Sequence, residues 1–343
     1  MDSEARKRTR ANSFDVAELA GVSQSTVSRA LSGSSAITEA TRERVLAAAR
    51  ELDYHVDERA ARLRRGKSGV IALVVICREG ELAEGVNGFS QRLLSSVCAA
   101  ASARGYETLV SLQSDEEKFY GHYVETGQAD AMVVIGTTTN RSAWDFFTSV
   151  GGGRRAAFWG APHADVTAVR SNNREGGALA ARHLLAQGYR RIAFIGAEDD
   201  TQRQFAARCE GLRDALAAEG LEPLSASVSQ TGNREAQGRE GVAELVASGE
   251  PFDAIFAACD DIALGVLAEL EARGIAVPGD VGVIGFDGAP TGEYAHPPLA
   301  SIAPDIGKAG QLLVEAALDG ADGASTTKVP VHLVERRSAT RSA

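Results

Sequence analysis

The sequence predicts a small all-α head followed by an α/β body of two subdomains with parallel sheets. Three observations predict it. A pair of short amphipathic helices meets at a glycine near the N-terminus. Two successive series of apolar runs alternate with helical segments after Gly69. Charge divides between the two regions: residues 1–67 hold 13 Lys and Arg against 10 Asp and Glu, and the remainder holds 23 against 36. The net charge of -10 thus conceals a positive head on an acidic body, and only the head suits a polyanion.

A chain of 343 residues is too long for one ordinary core. No run approaches the roughly 18 apolar residues of a membrane helix. The N-terminal "MDSEARKRTRANS" is basic but lacks an apolar stretch, so a cytoplasmic protein without membrane contact is expected. Cys77, Cys98, Cys209 and Cys259 are scattered, which predicts reduced core thiols and no metal site.

In the head, a first helix spans Asp15–Ala20 and stops at Gly21. Ser23 is a good N-cap for a second, which ends around Leu31-Ser32-Gly33. A third begins after Thr38 and carries Val45, Ala49 and Leu52 at i, i+4 and i+7. In the body, strands are predicted over 69–77, 106–112, 129–136 and 155–161, then over 190–197, 225–230, 252–259 and 280–288. Continuous apolar strands between amphipathic helices predict parallel sheets covered on both faces. Two such series predict two subdomains.

The stretch "DVAELAGVSQSTVSRAL" reads as a helix-turn-helix. A helix that enters the DNA major groove needs small, hydrogen-bonding residues at its exposed start. Gln24 suits adenine, Arg29 suits guanine, and Ser23, Thr26 and Ser28 suit phosphates. The competing reading is a helical hairpin with solvated polar faces.

"DVA..AGVS..TVSR.L" followed by "T...R..V..AA..L.Y" resembles the head of the LacI/GalR family of bacterial transcription regulators. "HLLAQGYRRIAFIG", "IFAACDDIALGVL", "GIAVPGDVGVIGFDG" and "PPLASIAPDIGKAG" extend the resemblance over about nine tenths of the chain. The resemblance implies a head over 1–55, a hinge over 56–68 and a clamshell like the type I periplasmic binding proteins. One clamshell half would comprise 69–168 with 303–327, and the other 169–302 with 328–343. It places Gln24, Ser25 and Arg29 at base-reading positions. Ser23, Thr26, Ser28, Thr38 and Tyr54 fall where relatives contact phosphates or support docking. In the hinge it places Leu63 as a minor-groove wedge, with Ala60 at the small position before it. "YHVD" departs from the common "Y.PN": Val56 and Asp57 replace a proline and an asparagine, and Ala61 stands where an arginine is common. These changes predict a less pre-organised hinge and DNA binding more dependent on low salt.

Ligands of open parallel sheets sit beyond the carboxyl ends of the strands. Asp260, Asp261, Asp287 and Trp159 lie at such ends, and Arg208 lies on the helix after "AFIGA". Carboxylates, an arginine fork and an aromatic face suit a polyol. Asp260 or Asp261 could equally cap "IALGVLAELEARG", Asp287 could hold a turn, Trp159 could be core and Arg208 could lie on the surface. The resemblance assigns Arg208 and Asp287 to the effector, Phe89 to an aromatic position near the cleft opening, and Asn173, the matching polar residue of "SNNREGG", to effector binding as well. Asp260 and Trp159 complete the expected set. Cys259 and Pro304 depart from common family residues, and a nucleobase or phosphorylated ligand is the alternative to a sugar.

The expected protein is a homodimeric repressor that binds a pseudo-palindromic operator and is switched by a small ligand, with no cofactor. A corepressed or activating regulator shares every feature. An enzyme is disfavoured by the lack of GxGxxG after a strand, a P-loop, HExxH and GxSxG. A solute receptor without DNA function would lose nothing on deletion of residues 1–67. The tail "VERRSATRSA" carries no heptad leucines, which favours a dimer over a tetramer.

Overall fold

A computed structural model describes residues 11–55, 66–81, 86–151, 155–160, 166–198, 202–226, 233–320 and 324–341. The chain forms two compact units, Met1–Lys67 and Ser68–Ala343.

The head contains α1 (Ser13–Ala20), α2 (Gln24–Leu31) and α3 (Glu39–Glu51). Helix α1 starts two residues before the expected Asp15. Asn12 is its N-cap, and Asp15 closes a capping box by accepting from the Asn12 N–H at 2.8 Å. Asp15 is therefore the third helical residue. Gly21 ends α1 in the left-handed conformation, at φ 63°. Val16, Ala17, Ala20, Val27, Ala30, Val45, Ala48 and Ala49 form the head core, with Leu52 and Tyr54 packed at its edge.

The body runs β1 (Val70–Ile76), α4 (Gly88–Ala103), β2 (Glu107–Gln113), β3 (Ala131–Gly136), α5 (Arg141–Gly151), β4 (Ala156–Trp159) and β5 (Ala168–Ser171). It continues with α6 (Asn173–Ala186), β6 (Ile192–Ile195), α7 (Arg203–Ala217), β7 (Leu224–Ala226), α8 (Arg234–Ser248), β8 (Ala254–Ala257), α9 (Asp260–Ala272) and β9 (Gly282–Phe286). Last come β10 (Ala300–Pro304), α10 (Ile306–Asp319), β11 (Thr326–Val329) and β12 (Val331–Val334).

Among the described residues two six-stranded sheets result, in the orders β11-β5-β4-β3-β1-β2 and β12-β10-β9-β8-β6-β7. The period of two along a strand lets β1 serve two cores. Ile71, Leu73 and Val75 pack with Leu93 of α4 and Leu313 of α10. Ala72, Val74 and Ile76 pack with Trp144 and Phe147 of α5.

The sheets add two departures from expectation. Strand β12 runs antiparallel to β10, so the second sheet is mixed. The crossings between sheets also fall later than residues 169, 303 and 328. Pairing carries β5 to Ser171, β10 to Pro304 and β11 to Val329. Apolar runs mark strand centres, but pairing with neighbours decides where strands end.

Candidate functional site

In the head, Val27 and Ala30 turn α2 inward, leaving Ser25, Ser28 and Arg29 exposed. The Ser23 hydroxyl caps α2 by accepting from the Thr26 N–H at 3.2 Å. It also bonds the hydroxyls of Ser25 and Thr26, each at 2.9 Å. Gln24 Nε2 donates to Ser13 Oγ at 3.2 Å, tying α2 to α1. Thr38 caps α3 through the Thr41 N–H, and Tyr54 is half-buried against the head core. The structure thus gives Ser23 and Thr38 local capping work and leaves Ser25, Ser28 and Arg29 as the outward edge of α2. The hinge positions Val56, Asp57, Ala60, Ala61 and Leu63 lie outside the described residues.

In the body, a cleft opens at the carboxyl ends of strands from both sheets, as the topology requires. One wall carries Phe89 at the start of α4, Thr137 and Thr138 after β3, and Trp159 at the end of β4. The other carries Gln204, Phe205 and Arg208 of α7, Arg234 of α8, Asp261 of α9 and Asp287 after β9. The rings of Phe89 and Trp159 lie 5.6 Å apart and form an apolar platform facing the polar wall.

Close helix crossings place the polar wall. At the α6–α7 crossing, a Cβ on Gly177 would sit 1.9 Å from the Arg208 carbonyl oxygen. One on Gly211 would sit 1.9 Å from that of Arg174. Only glycine permits this approach, and it delivers Arg208 beside Asn173. Gly238 and Gly265 do the same for α8 and α9, which carry Arg234 and Asp261.

Arg208 is buried, at 3 % exposure. Its Nε donates to Asn173 Oδ1 at 2.9 Å, and Nη1 donates to the Ala258 carbonyl. Its Nη2 lies 3.5 Å from Asp287 Oδ1, and the guanidinium stacks 3.5 Å from the Phe286 ring centroid. Burial lowers its pKa, and Asp287 opposes that shift. Asp287 has φ 111°, an uncommon backbone conformation for a residue with a Cβ. Arg92 Nη1, from α4, donates to the carbonyls of Asp287 and Gly288 at 3.0 Å each, spanning the two subdomains. Burial raises the Asp287 carboxyl to about 6, against the pull of Arg208.

Phe89, Trp159, Arg208 and Asp287 are therefore brought to one pocket, whereas Asn173 and Asp260 are not. Asn173 holds Arg208 from behind. Asp260 accepts from the Ala289 N–H at 2.6 Å and from the Ser301 hydroxyl at 2.7 Å, fastening the β9–β10 connection. Burial, and then the charge of Asp287, raise its carboxyl to about 8. The cleft-facing carboxylate is its neighbour Asp261. Neither aspartate is the N-cap of α9, because Cys259 occupies that position. Burial pushes the Cys259 thiol up to about 12, so it stays protonated.

Sequence reasoning missed Gln204, Arg234 and the threonine pair. Gln204 precedes Arg208 by four residues and so shares its helix face. Thr137 and Thr138 follow an apolar run, where the strand-end rule applies. No motif marks Arg234. Among the described residues, no helix is long and apolar enough to cross a membrane.

Residues 14–57 match the bacterial regulatory proteins of the lacI family, and residues 181–339 match the periplasmic binding protein-like domain. The transcriptional regulator CelR of Thermobifida fusca is 32% identical over 94% of this chain and 96% of its own length. The transcriptional regulator GalS of Salmonella typhimurium is 31% identical over 90% of this chain and 89% of its own length. A solved CelR–cellobiose complex superposes with a TM-score of 0.67 at 29% identity, covering 96% of this chain and all of that one (100%). The lac repressor dimer, bound to operator and the anti-inducer ONPF, shares the fold at a TM-score of 0.78 and 24% identity, covering 97% of this chain and 100% of that one.

Proposed function

The chain belongs to the LacI family of bacterial regulatory proteins, a family of transcriptional regulators rather than enzymes, and we propose that it is a cytoplasmic repressor whose grip on DNA is changed by a carbohydrate. One observation carries the carbohydrate reading. The Arg208–Asp287 pair faces the Phe89–Trp159 rings across one cleft. An ionised carboxylate accepts from sugar hydroxyls, the guanidinium donates, and aromatic rings cover the apolar C–H face of a pyranose. The cellobiose held by the solved relative supports a disaccharide as the first ligand to try.

The ligand acts by binding one spacing of the two sheets better than another. Its walls come from different sheets, so a change of spacing moves the first subdomain, which follows directly after Lys67. The repressor acts as a homodimer, which a two-fold operator requires. Leu109, Val110 and Leu112 are exposed on the edge strand β2 and offer part of the apolar surface for pairing.

Thermal-shift measurements with mono- and disaccharides test this reading, followed by DNA retardation on a site selected from random duplexes. The expected result is one sugar class that stabilises the protein and releases DNA, with stabilisation lost in Asp287→Asn. Tighter DNA binding with the same sugar would make it a corepressor. Stabilisation by no carbohydrate would overturn the sugar reading.

On the DNA side, Arg29→Ala should weaken selected-site binding by about 10- to 100-fold, the value of a bidentate base contact, and relax preference at one base pair. The fold should be unaffected, because Arg29 is exposed. An equal loss on all sequences would make Arg29 a phosphate contact instead.

A further inference from the structure

A second cavity, of about 160 Å³, lies where β5, β11 and the first turns of α6 and α7 meet. Among the described residues, Gln204 alone lines both it and the cleft described above. Among the described residues, its charged lining is all cationic: Arg170, Arg174, Arg203 and Lys328. Arg174 is paired with Asp214 and Glu210. Arg170 and Lys328 are direct partners in the parallel β5–β11 pair. Like charges placed opposite one another destabilise a sheet, and a bound anion would relieve the repulsion.

Independent features of the same place ask for an acceptor-rich ligand. The Ser171 hydroxyl is buried, at 2 % exposure, and has no hydrogen-bond partner among the described residues. The Nε of Arg170 is likewise buried and unpartnered. Burial, and then the charge of Arg203, lower the Arg170 pKa. Asn172 and Gln202, the N-caps of α6 and α7, make no side-chain cap bonds. The first-turn N–H groups of α6 and α7 therefore present partial positive charge without a side-chain cap.

We propose that this cavity binds an oxyanion of the phosphate class, held by Arg170, Lys328 and the Ser171 hydroxyl at the end of β5. Its location adds a consequence. The cavity sits where β5 and β11 approach their crossings into the second sheet. An anion there braces the segments that must flex when the cleft changes width, and so biases that motion.

The test uses the full-length protein and inorganic phosphate at constant ionic strength. The expected result is a saturable rise in melting temperature, with affinity about tenfold weaker in Lys328→Gln and in Arg170→Gln, as for loss of one charge-assisted hydrogen bond. Without phosphate, Lys328→Gln should melt no lower than the parent, because a repulsion has been removed. Equal phosphate shifts in parent and variants would mean general salt stabilisation and would overturn the proposal. Glucose 6-phosphate, compared with glucose plus phosphate, separates two sources of the anion. A larger effect of the ester assigns the phosphate to a ligand spanning Gln204, and an equal effect assigns it to the free ion. Asp287→Asn should abolish the sugar response and leave the phosphate response intact, so the two readings fail separately.

Discussion

Replacing Arg208 with methionine should abolish the response to the effector and cost the body about 3–5 kcal/mol, the scale for breaking a buried ion pair from one side. The side chain is 4 % exposed and its partner Asp287 17 %. Its loss removes donors from Asn173 Oδ1 and from the Ala258 carbonyl. It also removes the charge that opposes the raised pKa of Asp287, so Asp287 takes up a proton near neutrality and recovers part of the cost. Urea unfolding of Arg208→Met, Asp287→Asn and the double variant would measure this. The double variant should lose less than the sum of the singles, because either single change already breaks the same pair. Additive losses below about 1 kcal/mol each would show that the pair does not organise the cleft.

Stability and ligand affinity should respond to pH in opposite directions. Asp287 and Asp260 titrate at about 6 and about 8 in the folded chain, both raised from 3.8 chiefly by burial. The folded state therefore holds more protons than the unfolded state from about pH 4 up to those values. Both contributions make the body less stable as pH rises through this window, and they level off above about 8. Comparing Asp260→Asn with the parent isolates one of them: the decline between pH 6 and 8 should flatten in the variant. On the proposed reading, carbohydrate binding should run the other way, because an ionised Asp287 is the better acceptor. Affinity should be about tenfold weaker at pH 5 than at pH 7, since each unit below the pKa is worth about 1.4 kcal/mol. That dependence should vanish in Asp287→Asn. A pH-independent affinity in the parent would mean that Asp287 meets the ligand in its neutral form.

These two carboxylates mark the limit of what could be read from residues. Asp260 and Asp261 are adjacent at the end of the same apolar run, and either could have faced the ligand. Successive helix residues point about 100° apart, so only one can. The choice was made by Ser301 on β10 and the N–H of Ala289, which claim Asp260. Both are distant in sequence. Arg208 was legible from its place in the motif, but the Gly177–Gly211 approach that seats it on Asn173 was not.

By itself the sequence determined whatever rests on neighbours along the chain. Ser23 and Thr38 cap α2 and α3 by accepting from N–H groups three residues on, Gly21 turns a corner that few other residues could, and continuous apolar runs become buried strands. Tertiary structure alone decided what depends on partners far along the chain. These features include the reach of β5, β10 and β11, the reversed β12, the inward arginine of α8 and the cationic pair of β5 and β11. The physical reason is that local hydrogen bonds and periodicity are written in consecutive residues. The direction of a buried polar side chain is set by whichever distant group satisfies it, and the chain must fold before that group is present.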